Sequence, residues 1–264
     1  MDARRAGRVE GMRDALHGFL AVAESLSGDE WVQPTGCPGW DVRDVVAHVC
    51  GMEDVLTGGP EPEVEVPDDL PHVTSPISAY TERHVIALRS LSTDDLVKQL
   101  AVMVDRRDEQ LAGDLDALAP SFLGGELPLI KSLGMRTFDI WVHEQDVRRA
   151  VGRPGHLDGA AAAVSLQRML RGLVNSLPER LKDASGTLDL RVTGDQQGAV
   201  VFDVHSGDVL DDGIHASVTM TLDFADFVPL VSGRQDAPDP AHAAQVDGDP
   251  GLAARVLTSL TITP

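Results

Sequence analysis

The hydrophobic periodicity of this chain changes once, and that change limits the folds open to it. Up to residue 177 the apolar side chains recur at three- and four-residue intervals, the spacing of amphipathic helices; from residue 187 they alternate with period two, the spacing of half-buried strands. The first helix is expected over residues 7–26, with Met12, Leu16, Phe19, Leu20, Val22, Ala23 and Leu26 on its apolar face. Residues 33–39 have turn chemistry, and Asp41 follows where an N-cap would accept from the amide of Asp44 or its neighbour. The helix it opens carries Val42, Val45, Val46, Val49, Met52 and Val55 as a core stripe and stops at Gly58-Gly59-Pro60. A proline-punctured loop covers residues 60–76. Further helices are expected over 77–91, 93–111 (capped by Ser92 or Thr93), from 127 or 132 to 151, and 159–177. Strands follow at 187–192, 199–204 and 216–222, then a short helix at 223–231, an extended piece at 244–246 and a last helix at 250–260. The predicted class is therefore α+β. A helical bundle over residues 1–155 precedes a small α+β domain with a mainly antiparallel sheet over 156–264, entered by a connecting helix, with the boundary between 154 and 186.

Charge and composition exclude several functions. The chain of 264 residues carries 42 acidic against 22 basic side chains, a formal net charge of −20, which opposes nucleic acid and anionic membrane surfaces. No window approaches the roughly 18 apolar residues of a membrane span, and the opening residues are charged without an apolar signal core, so a soluble cytoplasmic protein is expected. Two cysteines, Cys37 and Cys50, cannot make a disulfide scaffold. Arg outnumbers Lys heavily, a bias that GC-rich codons produce.

Of the nine histidines, His17, His72, His156 and His242 read as solvated or capping residues, and His84, four residues after Tyr80, as a satisfied packing histidine. His205 and Asp203 share a strand face and could meet. The segment 136–146 is different. Asp139 and His143 are i,i+4 on one helical face, with Arg136 and Asp146 extending that stripe by a turn each way. Phe138, Ile140, Trp141, Val142 and Val147 make most of the rest of the circumference apolar, so a stripe facing into a bundle needs a partner or a metal. A partner exists in His48, set among Val45, Val46, Ala47 and Val49. Two neutral imidazoles and one carboxylate form a three-ligand set that leaves a coordination position open, which suits a catalytic zinc or a non-haem iron(II) centre. Cys50 points about 200° away from His48 on the same helix and is excluded as a ligand. Val147 stands where the zinc-protease pattern needs its second histidine, so peptidase chemistry is not supported. Asp146 suits an acceptor that orients an imidazole, and Arg136 an anion or carboxylate clamp.

Two stretches carry a family resemblance. Thr35-Gly36-Cys37-Pro38-Gly39-Trp40, continuing through Arg43 to His48, resembles the opening of the mycothiol-dependent maleylpyruvate isomerase family, among the DinB-like metal-binding four-helix bundles. Residues 136–146 resemble its second motif, an acid followed four residues later by His. Phe227 to Arg234, then residues 246–249 and a closing helix, are similar to the family's small sterol-carrier-like α+β domain. The resemblance implies that His48, Asp139 and His143 bind a divalent metal, zinc above all, and that an Arg of the C-terminal domain, for which Arg234 is the candidate, serves catalysis. The isomerase pattern has Glu where this chain has Asp139, a shorter arm. The implied function is a mycothiol transferase or isomerase in which a metal-bound thiolate adds to an electrophilic small molecule. The implied setting is an actinobacterial cytoplasm, with the chain a monomer or homodimer. Alternatives are a non-haem metal enzyme with other chemistry and a non-enzymatic protein that binds a small molecule or lipid.

Overall fold

The computed structural model describes residues 2–122, 124–211 and 213–263. The chain divides into two compact units, Met1–Val164 and Ser165–Pro264.

The first unit is helical because its apolar stripes can be buried only against one another. Helices α1 (Ala3–Glu24), α2 (Val42–Leu56), α3 (Pro76–Leu88), α4 (Thr93–Ala112) and α5 (Leu129–Ala150) follow in order, with α6 (Ala160–Arg180) crossing the division between the units. α1 packs against α4 and α5, and α2 against α3, α4 and α5. The caps fall where short polar side chains precede apolar periodicity. Asp41 accepts from the Asp44 amide at 2.9 Å, Ser92 from the Asp95 amide at 3.1 Å, and Ser75 from the Ser78 amide at 3.1 Å with Pro76 at the first helical position. α2 is buried nearly all round, as a central helix must be. α3 approaches it closely at Gly51, where a Cβ would come within 2.9 Å of the His84 Cβ.

Two elements of this unit lie outside the periodicity reading. A 3₁₀ turn occupies Gly28–Val32, and a short antiparallel hairpin pairs β1 (Leu118–Pro120) with β2 (Glu126–Pro128). Strands of three residues are too short to show an alternation.

In the second unit, β3 (Thr187–Thr193), β4 (Gly198–Asp203), β5 (Val218–Asp223) and β6 (Ala244–Gly248) form a sheet of order β4-β3-β5-β6. β3–β4 and β5–β6 are antiparallel, but the central β3–β5 pair is parallel, registering Leu190 with Met220. Leu188, Leu190, Val192, Val218, Met220 and Leu222 point to the buried face by the period-two rule. α7 (Phe224–Val231) and α9 (Pro250–Leu257) pack on the sheet, and α8 (Pro240–Ala243) touches β6. Asp203 ends β4 and caps the following turn, accepting from the amides of His205 and Ser206 at 2.9 Å each, so its carboxylate serves the backbone rather than the His205 ring. Among the described residues no helix is long and apolar enough to cross a membrane.

His156 departs from the solvated role expected of it. It sits in the left-handed region (φ 57°), its Nε2 lies 3.1 Å from Asp14 and its Nδ1 2.8 Å from Glu144, whose side chain is fully buried. The hydrogen bond to Glu144, with Asp14 adding to it, outweighs burial and pushes the imidazole up to about 9. A cation thus ties the segment after α5 back to α1 and α5. Because the folded value is raised, its stabilisation is complete below the unfolded value of about 6.5 and is lost as pH rises through about 9. His156→Ala should destabilise the protein by about 1–3 kcal/mol at pH 6, with the gap to wild type narrowing by pH 9.5, as read by urea unfolding at both pH values.

Candidate metal centre

The centre begins with a turn. Thr35 N–H and Oγ1 both donate to the Trp40 carbonyl, at 3.2 and 2.9 Å; Trp40 N–H donates to the Cys37 carbonyl at 3.2 Å, and Cys37 N–H to Thr35 Oγ1 at 3.2 Å. Gly39 is needed here, with φ 76° and no room for a Cβ against the His72 ring. This knot, just before α2, sets Trp40 beside His48 and Cys37 beside His143 and Asp146. Trp40 is held by its indole N–H, which donates to Glu82 Oε2 at 2.7 Å. Glu82, fully buried, also receives His72 Nε2 at 3.0 Å and Arg89 Nη2 at 3.1 Å, so His72 is a half-buried partner of a carboxylate and not a solvated residue. The Trp40 ring then lies with its centroid 4.9 Å from that of His48 and 6.0 Å from that of His143.

Across from α2, α5 presents Arg136, Asp139, His143 and Asp146 on one face, as i,i+3 and i,i+4 spacing requires. The imidazoles of His48 and His143 meet edge to face at 4.8 Å. His48 Nε2 is 3.6 Å from Asp139 Oδ2, and His143 Nε2 is 3.8 Å from Asp139 Oδ1. The three side chains each offer one ligand atom, all within 4.8 Å of one another. Ligand atoms around a tetrahedral zinc stand roughly 3.3 Å apart, so the spacing is near what an ion needs. Both ring nitrogens of His48 are buried without a hydrogen-bond partner, a costly state that a ligated ion would relieve. Burial, assisted by His143 and Arg136 and opposed by Asp139, pushes the His48 imidazole down to about 4, which leaves it neutral with a lone pair to give.

Asp139 is kept ionised by its surroundings. Burial works against its charge, but the Arg136 guanidinium, donating from Nη1 at 2.5 Å, and the two imidazoles hold it well below the usual carboxylate range. Arg136 is itself buried and its Nε donates to Glu53 Oε1 at 2.9 Å. The carboxylates it clamps are thus the protein's own. Glu53 also accepts from Arg107 Nε of α4 at 2.9 Å, and these two guanidinium groups outweigh burial and keep it low. Glu53 and Arg107 escaped sequence reading; the available signal was an acid in the otherwise apolar stripe of α2.

On the far side of His143, Nδ1 lies 3.0 Å from Asp146 Oδ2, and the thiol of Cys37 donates to that same oxygen at 3.1 Å. Cys37, His143 and Asp146 form a second group with ligand atoms within 4.8 Å of one another. Cys50, by contrast, is buried, and burial pushes its thiol up to about 12. His84 is packed as expected, edge-on to Tyr80 at 4.9 Å, but its Nε2 has no hydrogen-bond partner and burial pushes the ring down to about 4. Arg234 belongs to the other compact unit, in the turn after α7, where its Nη1 donates to the Ser232 carbonyl at 2.8 Å.

Comparison with known proteins follows the same division. A family model described as the mycothiol maleylpyruvate isomerase N-terminal domain matches residues 12–148, and one described as the SCP-2 sterol transfer family matches residues 166–260. Uncharacterized proteins from two strains of Mycobacterium tuberculosis are 21% identical over 132 residues, 50% of this chain and 51% of theirs, so the match spans about half the length of these curated relatives. The crystal structure of the mycothiol-dependent maleylpyruvate isomerase superposes with a TM-score of 0.58 at 17% identity, covering 94% of this chain and 96% of that one. A histidine-to-alanine mutant of that enzyme gives 0.59 at 16% identity over the same shares. Likeness at this identity establishes the fold.

Removing the Glu53 carboxylate would leave the buried Arg107 guanidinium without a counter-charge and Arg136 with Asp139 alone. Glu53→Gln should lower stability by about 3–5 kcal/mol, read from urea unfolding, whereas an exposed pair such as Lys98–Asp95 should cost less than about 1 kcal/mol when broken.

Proposed function

Because the chain belongs, through residues 12–148, to the mycothiol maleylpyruvate isomerase N-terminal domain family, we propose that it is a metal-dependent isomerase or transferase that uses mycothiol against an electrophilic small molecule. The reading rests on one observation above the rest: two buried imidazoles and an ionised carboxylate converge, and neither ring nitrogen of His48 has a hydrogen-bond partner. His48, Asp139 and His143 would hold the ion, and zinc is the best match to two nitrogen donors and one carboxylate. When bound, a divalent ion with one open position supplies an electrostatic sink that lets a thiol lose its proton near neutral pH.

The chain's own residues make that position usable. Arg136 keeps Asp139 charged and fixed; a divalent ion held by that single carboxylate and two imidazoles would still leave a net positive charge, which favours an incoming thiolate. Asp146 Oδ2 holds the Nδ1 proton of His143, leaving Nε2 as the donor atom. Trp40 covers the imidazole pair with an apolar face and limits water there. A thiol so placed adds to a conjugated double bond; after rotation it leaves, which completes an isomerisation, or it stays, which completes a transfer. Arg234 is the proposed contribution of the second unit, as a cation for an anionic substrate group. The match of residues 166–260 to the SCP-2 sterol transfer family favours a second reading, in which that unit carries an apolar ligand.

Purified protein should carry about one zinc per chain by elemental analysis, falling below roughly a tenth of that in His48→Ala and in His143→Ala. Full occupancy in both variants would refute the ligand set. Incubation with mycothiol and a panel of conjugated electrophiles, followed by both free thiol and the isomer ratio, should show a change in one of them with wild type and in neither with the variants. A co-purifying lipid with no metal, seen by native mass spectrometry, would favour the carrier reading.

A further inference from the structure

Cys37 has no part in the ligand set, yet it is buried, 6% exposed, and its thiol donates at 3.1 Å to the oxygen of Asp146 that faces His143. The sulfur stands 3.8 Å from His143 Nδ1, and Asp146 Oδ2 is 3.0 Å from that nitrogen. One carboxylate oxygen therefore takes two donors, the S–H and the ring N–H. An ionised carboxylate only accepts, so Nδ1 brings the proton of this contact, and Nε2 is the ring nitrogen left to face a metal. Nε2 is the nitrogen turned toward Asp139. The backbone that carries the thiol is fixed, because the Cys37 amide is tied to Thr35 Oγ1 and its carbonyl to the Trp40 amide.

We infer that Cys37 is a positioning residue of the metal centre: its thiol pins Asp146 against His143 Nδ1 and so presents Nε2 as a preorganised donor. This rests on the metal reading above. A turn residue remote in sequence from α5 thereby sets the tautomer and orientation of a ligand on α5. The same three side chains could instead hold a second ion, a role that stoichiometry separates from positioning.

The test uses the full chain, stripped of metal and titrated with zinc against a competing chelator. Loss of an outer hydrogen bond to a ligand should weaken zinc binding roughly tenfold or more in Cys37→Ala, with Cys37→Ser, which keeps an O–H donor, returning to within about threefold of wild type. In the metal-free protein, nitrogen-15 correlation spectra should show His143 as the Nδ1–H tautomer in wild type and in Cys37→Ser, and a mixture in Cys37→Ala. Circular dichroism establishes that each variant is folded, and Cys37→Val takes the place of the alanine variant if that one unfolds. Unchanged affinity together with an unchanged tautomer in the folded apolar variant overturns the inference. So does a second equivalent of zinc in wild type that is lost with Cys37. Should His48→Ala bind zinc as tightly as wild type, the metal reading fails, while the tautomer measurement still judges Cys37 alone.

Discussion

A buried relay of alternating charges underlies the first unit. Arg107 on α4, Glu53 on α2, Arg136 on α5 and Asp139 one turn further along α5 are linked by contacts of 2.5–2.9 Å, and the first three are almost wholly removed from water. Such a relay adds little net stability over a well-packed apolar core, since desolvation consumes most of the attraction. Its force lies in the cost of disrupting it. A slip of α2 or α5 by one residue would strand a guanidinium or carboxylate in the core, so the relay fixes the register of three helices. Asp139 ends it, and the position and charge of Asp139 are what bring two imidazoles together around a carboxylate.

His143 shows how much of the centre lies outside the three proposed ligands. Its two nitrogens face different environments, Nε2 toward Asp139 and Nδ1 toward Asp146 and Cys37. Trp40, on the same turn as Cys37, closes over both rings and is itself anchored by Glu82 of α3. Three helices packed on α2 thus contribute to the site: α3 through Glu82, α4 through Arg107, α5 through the stripe. The family to which the chain belongs accounts for the architecture of the first unit.

Much of this was legible along the chain because it is local physics. Helix starts at Asp41 and Ser92 follow from cap chemistry, and the strands of the second unit from alternation. The spacing Arg136, Asp139, His143, Asp146 announced a polar stripe on an apolar helix. What escaped has a common cause. The β1–β2 hairpin pairs strands of three residues; β3 and β5 are parallel, which no local alternation can reveal. His72 and His156 meet carboxylates distant in the chain, Glu82 in one case and Asp14 and Glu144 in the other.

The sequence by itself therefore determined the element types, the change from helical to strand periodicity, and which face of α5 carries the polar groups, because these depend on neighbours within about five positions. Only the tertiary structure decided that Arg136 also serves Glu53 and that Cys37 reaches Asp146. Those partners lie tens of residues apart, and which side chains neutralise one another in a core is settled by how the helices pack, since a buried charge takes whichever counter-charge packing brings within reach.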